Sequence, residues 1–148
     1  MQAFPHRYRS FAQGAPDAEV ATGAEGAPVL ATQAPPEFGG PPGYWTPETL
    51  LTASIADCYV LSFRAAARAS RLDWQQLSVD VEGVLDRVEG VTRFTAFTVA
   101  PRLRLAPGAS ETLAHAVLAK SKSLCLVTNS LLAPCELQPQ IETQAAAA

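Results

Sequence analysis

The chain has 148 residues and 15.6 kDa, with 48% hydrophobic and 17% charged residues. A single domain of this size buries roughly 68–70% of the surface of its unfolded chain, and the composition excludes a disordered protein. The net charge is −3 and no block of Lys and Arg stands out. Nucleic-acid binding and a polybasic membrane patch therefore have no electrostatic support.

The N-terminal "MQAFPHRYRSF" lacks the apolar core of a signal peptide. The longest apolar run, Leu50 to Phe63, is interrupted by Asp57 and falls short of the ~20 residues of a membrane span. No membrane association is expected, and a cytoplasmic location is. Cys58, Cys125 and Cys135 would there be reduced by default. Their spacings are wide, no CxxC occurs, and His6 and His115 lie far from them in sequence. Neither a metal nor a cofactor is expected.

In chain order, "HRYRSFAQ" alternates as a first strand, with Arg7 and Arg9 in it. "AEVATG" and "APVLATQ" read as a hairpin turning at Gly23 to Gly26. Residues 34–46 form a Pro/Gly-rich segment, "APPEFGGPPGYW" and Thr46, that cannot be helix or central strand. Its Phe38, Tyr44 and Trp45 predict an ordered loop packed against something rather than a solvated linker. Thr46-Pro47-Glu48 is a helix start: a capping hydroxyl, a proline suited to the first helical position, and an acid at the positive end of the dipole. The helix is apolar on nearly every face to Phe63, which predicts that protein surrounds it, and it ends near Leu72.

Residues 75–89 and "GVTRFTAFTVAPRLRLAP", 90–107, alternate as a hairpin turning near Glu89-Gly90, with Pro101 predicting an edge or a bulge. Ser110 caps a second helix whose inner face carries Leu113, Ala114, Val117 and Leu118. "CLVTNSLL" reads as a helical turn, "CELQPQIET" as a final strand, and 144–148 as a loose tail. The order of strands, long buried helix, hairpin, helix and strand is α+β, with helices segregated from an antiparallel sheet, in one domain over residues 1–148.

Cys58 has two readings. Free cysteine is a common apolar filler, and the same holds for Cys125 and Cys135, the last read as a spare buried thiol. Against this, each helix carries one cysteine, and helices packed face to face can bring two sulfurs within bonding range. Asp57 and Ser54 are polar exceptions beside Cys58, and such exceptions gather at functional sites.

The string "FGGPPGYWTPETLLTASIADC" resembles the region before the reactive cysteine of the OsmC/Ohr family, the osmotically inducible and organic-hydroperoxide-resistance proteins. A Gly-rich loop, Pro47-Glu48 and Cys58 ten residues after the Glu follow that pattern. "SLCLVTNS", with Cys125 and Asn129, resembles the region of the second family cysteine. The resemblance extends over about residues 5 to 143. It implies a thiol peroxidase in which Cys58 attacks a hydroperoxide and becomes a sulfenic acid, and Cys125 condenses with it to a disulfide. A dithiol reductant of lipoyl or thioredoxin type would restore both thiols.

One departure is plain. The family supplies an arginine from its N-terminal half, whereas residues 10–63 here contain neither Arg nor Lys. Arg7 and Arg9 are the early candidates, and Arg64, Lys120 and Lys122 are other nearby cations in sequence. Ten residues of helix rise about 15 Å, so Glu48 reaches a Cys58 site only from another chain or through an intermediate group. A homodimer in which the long helices meet is therefore expected. Apart from the resemblance, Glu48 reads as first-turn dipole stabilisation. Phe38, Tyr44 and Trp45 read either as walls of an apolar substrate pocket or as anchors of the loop. Two alternatives to a peroxidase acting on organic hydroperoxides or hydrogen peroxide stay open: an OsmC-like thiol protein of other activity, and a dimeric module that binds a small apolar ligand.

Overall fold

The structure is a computed structural model and describes residues 2–142, so the expected tail at 144–148 lies outside the described residues. The chain forms two units, Met1–Leu51 and Thr52–Ala148. In the first, β1 (Ser10–Gln13), β2 (Val20–Ala24) and β3 (Leu30–Thr32) make an antiparallel sheet in that order. The β2–β3 hairpin is the expected one, but Gly23 lies in β2 and the turn comes after Ala24, with Gly26 at φ 75° in it. The first strand is shorter than expected. Arg7 and Arg9 precede it.

The Pro/Gly-rich segment is ordered by its own backbone. Residues Pro36–Phe38 form one 3₁₀ turn. The N–H groups of Phe38 and Gly40 both donate to Pro35 O, at 2.9 and 3.1 Å, and Gln33 N–H donates to Trp45 O at 3.0 Å. A Cβ on Gly40 would stand 1.7 Å from Ala34 O, so only glycine closes this turn. The expectation that the aromatics are packed is corrected here. Phe38, Tyr44 and Trp45 are 60%, 40% and 46% exposed, because hydrogen bonds rather than ring packing fix the loop.

α1 (Pro47–Ser70) opens on a reciprocal cap. Thr46 Oγ1 accepts from the N–H of Thr49 (3.2 Å), and Thr49 Oγ1 accepts from the N–H of Thr46 (2.9 Å). It closes at Ser70 with Arg71 in the left-handed region (φ 54°), and Leu72 N–H turns back to Ala67 O. Its own chain buries one stripe of it, Ile55, Tyr59, Phe63, Ala66 and Ala67. Leu61 on another face is 53% exposed, so a single copy does not surround this helix. At 24 residues and mean hydropathy 1.3 over its most apolar window, α1 meets the length and composition of a membrane span, which the shorter run read from sequence did not. The core helix of a globular protein meets the same test.

In the second unit, β4 (Trp74–Val88) and β5 (Val91–Leu105) form the expected hairpin. Glu89 and Gly90 both have positive φ (53° and 80°), the two-residue turn that matches strand twist. Phe97, Val99, Pro101, Leu103 and Leu105 alternate inward and are buried. The expected final strand is two strands, β6 (Cys135–Leu137) and β7 (Gln140–Glu142), both parallel to β5. The sheet is thus mixed rather than antiparallel, and β5 is interior to it. Pro101 is neither at an edge nor at a bulge. β6 pairs with residues 97–99 and β7 with 102–104, and Pro101, which has no N–H, falls in the gap between them. α2 (Glu111–Leu124) is capped by Ser110, whose Oγ accepts from Leu113 N–H at 3.2 Å, and it buries Ala114, Val117, Leu118 and Ser121.

Candidate active site

Cys58 sits half-buried in the middle of α1, next to the buried Tyr59. The Tyr59 hydroxyl donates to the backbone carbonyl of Leu118 at 2.9 Å, which ties α1 to α2. Cys125 follows Leu118 by seven residues, two helical turns, and so occupies the same face at the C-cap of α2. It is fully buried. The two sulfurs meet: the Cys58 and Cys125 side chains are hydrogen-bonded, and both thiols are free.

The end of α2 is built around Cys125. Its carbonyl accepts from Asn129 N–H at 3.1 Å and from the Thr128 hydroxyl at 3.1 Å, while Asn129 Nδ2 donates to Ser123 O at 3.1 Å. Asn129 thus closes the turn that follows Cys125. Burial pushes the Cys125 thiol up, hydrogen bonds from the side chain and backbone of Thr128 draw it down, and the bond to Cys58 pushes it up again. Burial is the largest of these effects, so the Cys125 thiol is held above the ordinary thiol range. Tyr59 is also pushed up, by burial and then by the charge of Cys125, so its phenol stays a neutral donor.

Cys135 is half-buried at the start of β6, not the buried filler expected. It lines an open cleft of about 320 Å³ with Lys122, Ser123, Thr128 and Asn129. Burial raises its thiol, Lys122 lowers it, and the charge of Cys125 raises it. Asp57 and Ser54, read as polar groups in an apolar setting, are exposed on α1, as is Arg64, and His115 is exposed on α2. Tyr59 is core, as expected.

In the first unit, Glu48 stands in the opening turn of α1. Its Oε2 is buried and has no hydrogen-bond partner among the described residues. Glu48 and Phe38 line a cleft of about 380 Å³ with Thr22, Thr32 and Gln33. Tyr44 and Trp45 do not line it. Arg7 and Arg9 line a separate cleft with Tyr8 and Glu25. Sequence reasoning missed Thr128 and the cleft at Cys135. The Thr lies three residues past Cys125, at the spacing of a turn that folds back on a helix end, and that spacing was the available signal.

The family described as OsmC-like protein matches residues 40–140. The chain belongs to this family. It is 27% identical over 123 residues to the uncharacterized protein YmaD of Bacillus subtilis (strain 168), covering 81% of this chain and 82% of that one. It has the fold of an OsmC-like protein of unknown function from Vibrio cholerae, with TM-score 0.81, 15% identity, and 93% and 100% of the two chains covered. It is also similar in fold to an organic hydroperoxide resistance protein OsmC from Legionella pneumophila (TM-score 0.72, 23% identity, 95% and 99% covered). The α+β class and the OsmC/Ohr membership expected from the sequence both hold.

Proposed function

We propose that this OsmC-like chain is a homodimeric, cytoplasmic thiol peroxidase that reduces organic hydroperoxides or hydrogen peroxide. The observation that carries this reading is the contact between the Cys58 and Cys125 thiols, one half-exposed and one sealed. The Cys58 thiolate attacks an oxygen of the peroxide. An S–O bond forms, the O–O bond breaks, and the leaving oxygen takes a proton to depart as alcohol or water. Cys125 then attacks the sulfenic sulfur. An S–S bond forms, and the hydroxyl takes the Cys125 proton and leaves as water. A dithiol of lipoyl or thioredoxin type returns two electrons and restores both thiols.

Glu48 is assigned to orienting a cationic group, for which its unpartnered buried oxygen is the support. Arg7 and Arg9 are the candidates, supplied from a second copy, since within one copy they line a separate cleft. Phe38, Tyr44 and Trp45 supply exposed apolar surface for the organic part of the substrate. The dimer is supported by α1, whose most apolar window is only 28% buried within one copy.

A second reading, a thiol protein of other chemistry, draws support from the lack of Arg and Lys across residues 10–63. Thiol titration separates the two. Added cumene hydroperoxide should remove two thiols per chain stoichiometrically, and Cys58→Ser should consume no peroxide. Equal consumption by Cys58→Ser and the parent would refute the assignment.

A further inference from the structure

The cleft that Glu48 lines lies wholly within the first unit and joins two kinds of surface. Val20, Pro35, Pro47 and the exposed Phe38 are apolar. Glu48 adds a carboxylate whose Oε2 is buried and lacks a hydrogen-bond partner among the described residues. The two threonine hydroxyls of the cleft are engaged elsewhere: Thr32 Oγ1 donates to Val20 O at 3.3 Å and shares a 3.1 Å hydrogen bond with Thr22 Oγ1. A buried carboxylate oxygen without a donor is costly, and a cation bearing N–H groups removes that cost. Residues 10–51 carry five carboxylates, Asp17, Glu19, Glu25, Glu37 and Glu48, and neither Lys nor Arg. The field of this stretch therefore attracts cations.

Resting on the reading above that Glu48 holds a cationic group, we propose that this cleft binds a small free organic cation: an amidinium, guanidinium or primary ammonium on an apolar body. The N–H groups of the cation donate to Glu48 Oε2. The body lies against Phe38 and the prolines, where its apolar area leaves water. At about 380 Å³ the cleft has room for a molecule of one ring. A free cation seated there takes the oxygen that an arginine of a second copy would use, so the two compete for Glu48.

The test titrates the full chain with benzamidine and with benzamide, a neutral molecule of nearly the same shape, and follows the backbone amide signals of Thr22, Thr32 and Gln33 by NMR. Benzamidine should bind about tenfold or more tightly than benzamide. Glu48→Gln keeps the shape and removes the charge, and should erase that difference. Phe38→Ala, at a mostly exposed ring, should weaken both molecules about threefold or more. The double variant Arg7→Ala/Arg9→Ala separates the two sources of charge. Tighter benzamidine binding in it than in the parent supports the proposal and shows the arginines competing. Equal affinity also supports the proposal and removes the arginines from Glu48. Binding confined to the double variant would overturn the free cation and leave the cleft to the second copy's arginine. Equal affinity for benzamidine and benzamide in both proteins, or parent-like selectivity in Glu48→Gln, would overturn the proposal together with the reading of Glu48 beneath it.

Discussion

The hydroxyl of Tyr59 reaches across from α1 to the backbone carbonyl of Leu118 on α2, 2.9 Å away, one residue from Cys58 and two turns before Cys125. This bond is buried, and it sets the spacing of the two helices where the thiols meet. Tyr59→Phe keeps the ring and removes the donor. Stability should fall by about 1–3 kcal/mol, read as a lower urea midpoint, because a buried acceptor loses its partner. The Cys58–Cys125 disulfide should also form more slowly. An unchanged midpoint would show that the bond contributes nothing.

Cys125→Ser should allow one turnover with cumene hydroperoxide and then stop. Without the second sulfur, the Cys58 sulfenic acid has nothing beside it to condense with and should be trapped by dimedone at one adduct per chain. Multiple turnovers in this variant would remove Cys125 from the cycle.

Thr128 lowers the Cys125 thiol through hydrogen bonds from its hydroxyl and its N–H. Thr128→Val deletes the hydroxyl and keeps the shape, so the Cys125 thiol should rise further. The disulfide-forming step, which uses the Cys125 thiolate, should shift its pH profile to higher pH. Thr128→Ser should restore the parent profile, which separates this role from simple packing.

Tyr59, Cys125 and Cys135 are all raised, each chiefly by burial. Above about pH 8.5, unfolded thiols release protons that the folded chain keeps, so the unfolded state binds fewer protons and stability falls as pH rises. The stabilisation is complete below that pH and is lost as pH climbs through the folded values. Urea midpoints measured from neutral to alkaline pH should decline, with a shallower slope in Cys125→Ala. A flat profile in the parent would contradict the direction of these shifts.

Leu61 is 53% exposed on α1. In a monomer, Leu61→Glu should change stability by no more than about 0.5 kcal/mol. In a dimer that covers α1 it buries a charge, so light scattering should show a dimer for the parent and a monomer for the variant. A parent that scatters as a monomer at micromolar concentration would exclude the dimer.

The sequence was most legible where a local rule acts alone. Thr46-Pro47, Ser110 and Glu89-Gly90 marked their cap and turn positions, because capping and positive-φ turns depend on a few adjacent residues. It was less legible where partners are distant. The split of residues 135–142 into two strands falls at Pro139, a local breaker, but that both strands run parallel to β5 is set by pairing with residues 97–104, more than thirty residues earlier. Alternation in "CELQPQIET" indicated a strand but not its direction. At the site, the Cys58–Cys125 pairing was accessible through the family resemblance and from one cysteine on each helix. The role of Thr128 was not, since a threonine in a polar turn is ordinary until its hydroxyl is found bonded back to the Cys125 carbonyl.

The Pro/Gly-rich turn between residues 35 and 40 is closed by its own amide groups, yet it holds Phe38 out in the open. A flexible loop would forfeit roughly 1–2 kcal/mol per residue of backbone freedom on being covered. Here that freedom is surrendered during folding. A hydrophobic guest settling on Phe38 meets a stiff platform, and the full benefit of drying that ring is available to hold it.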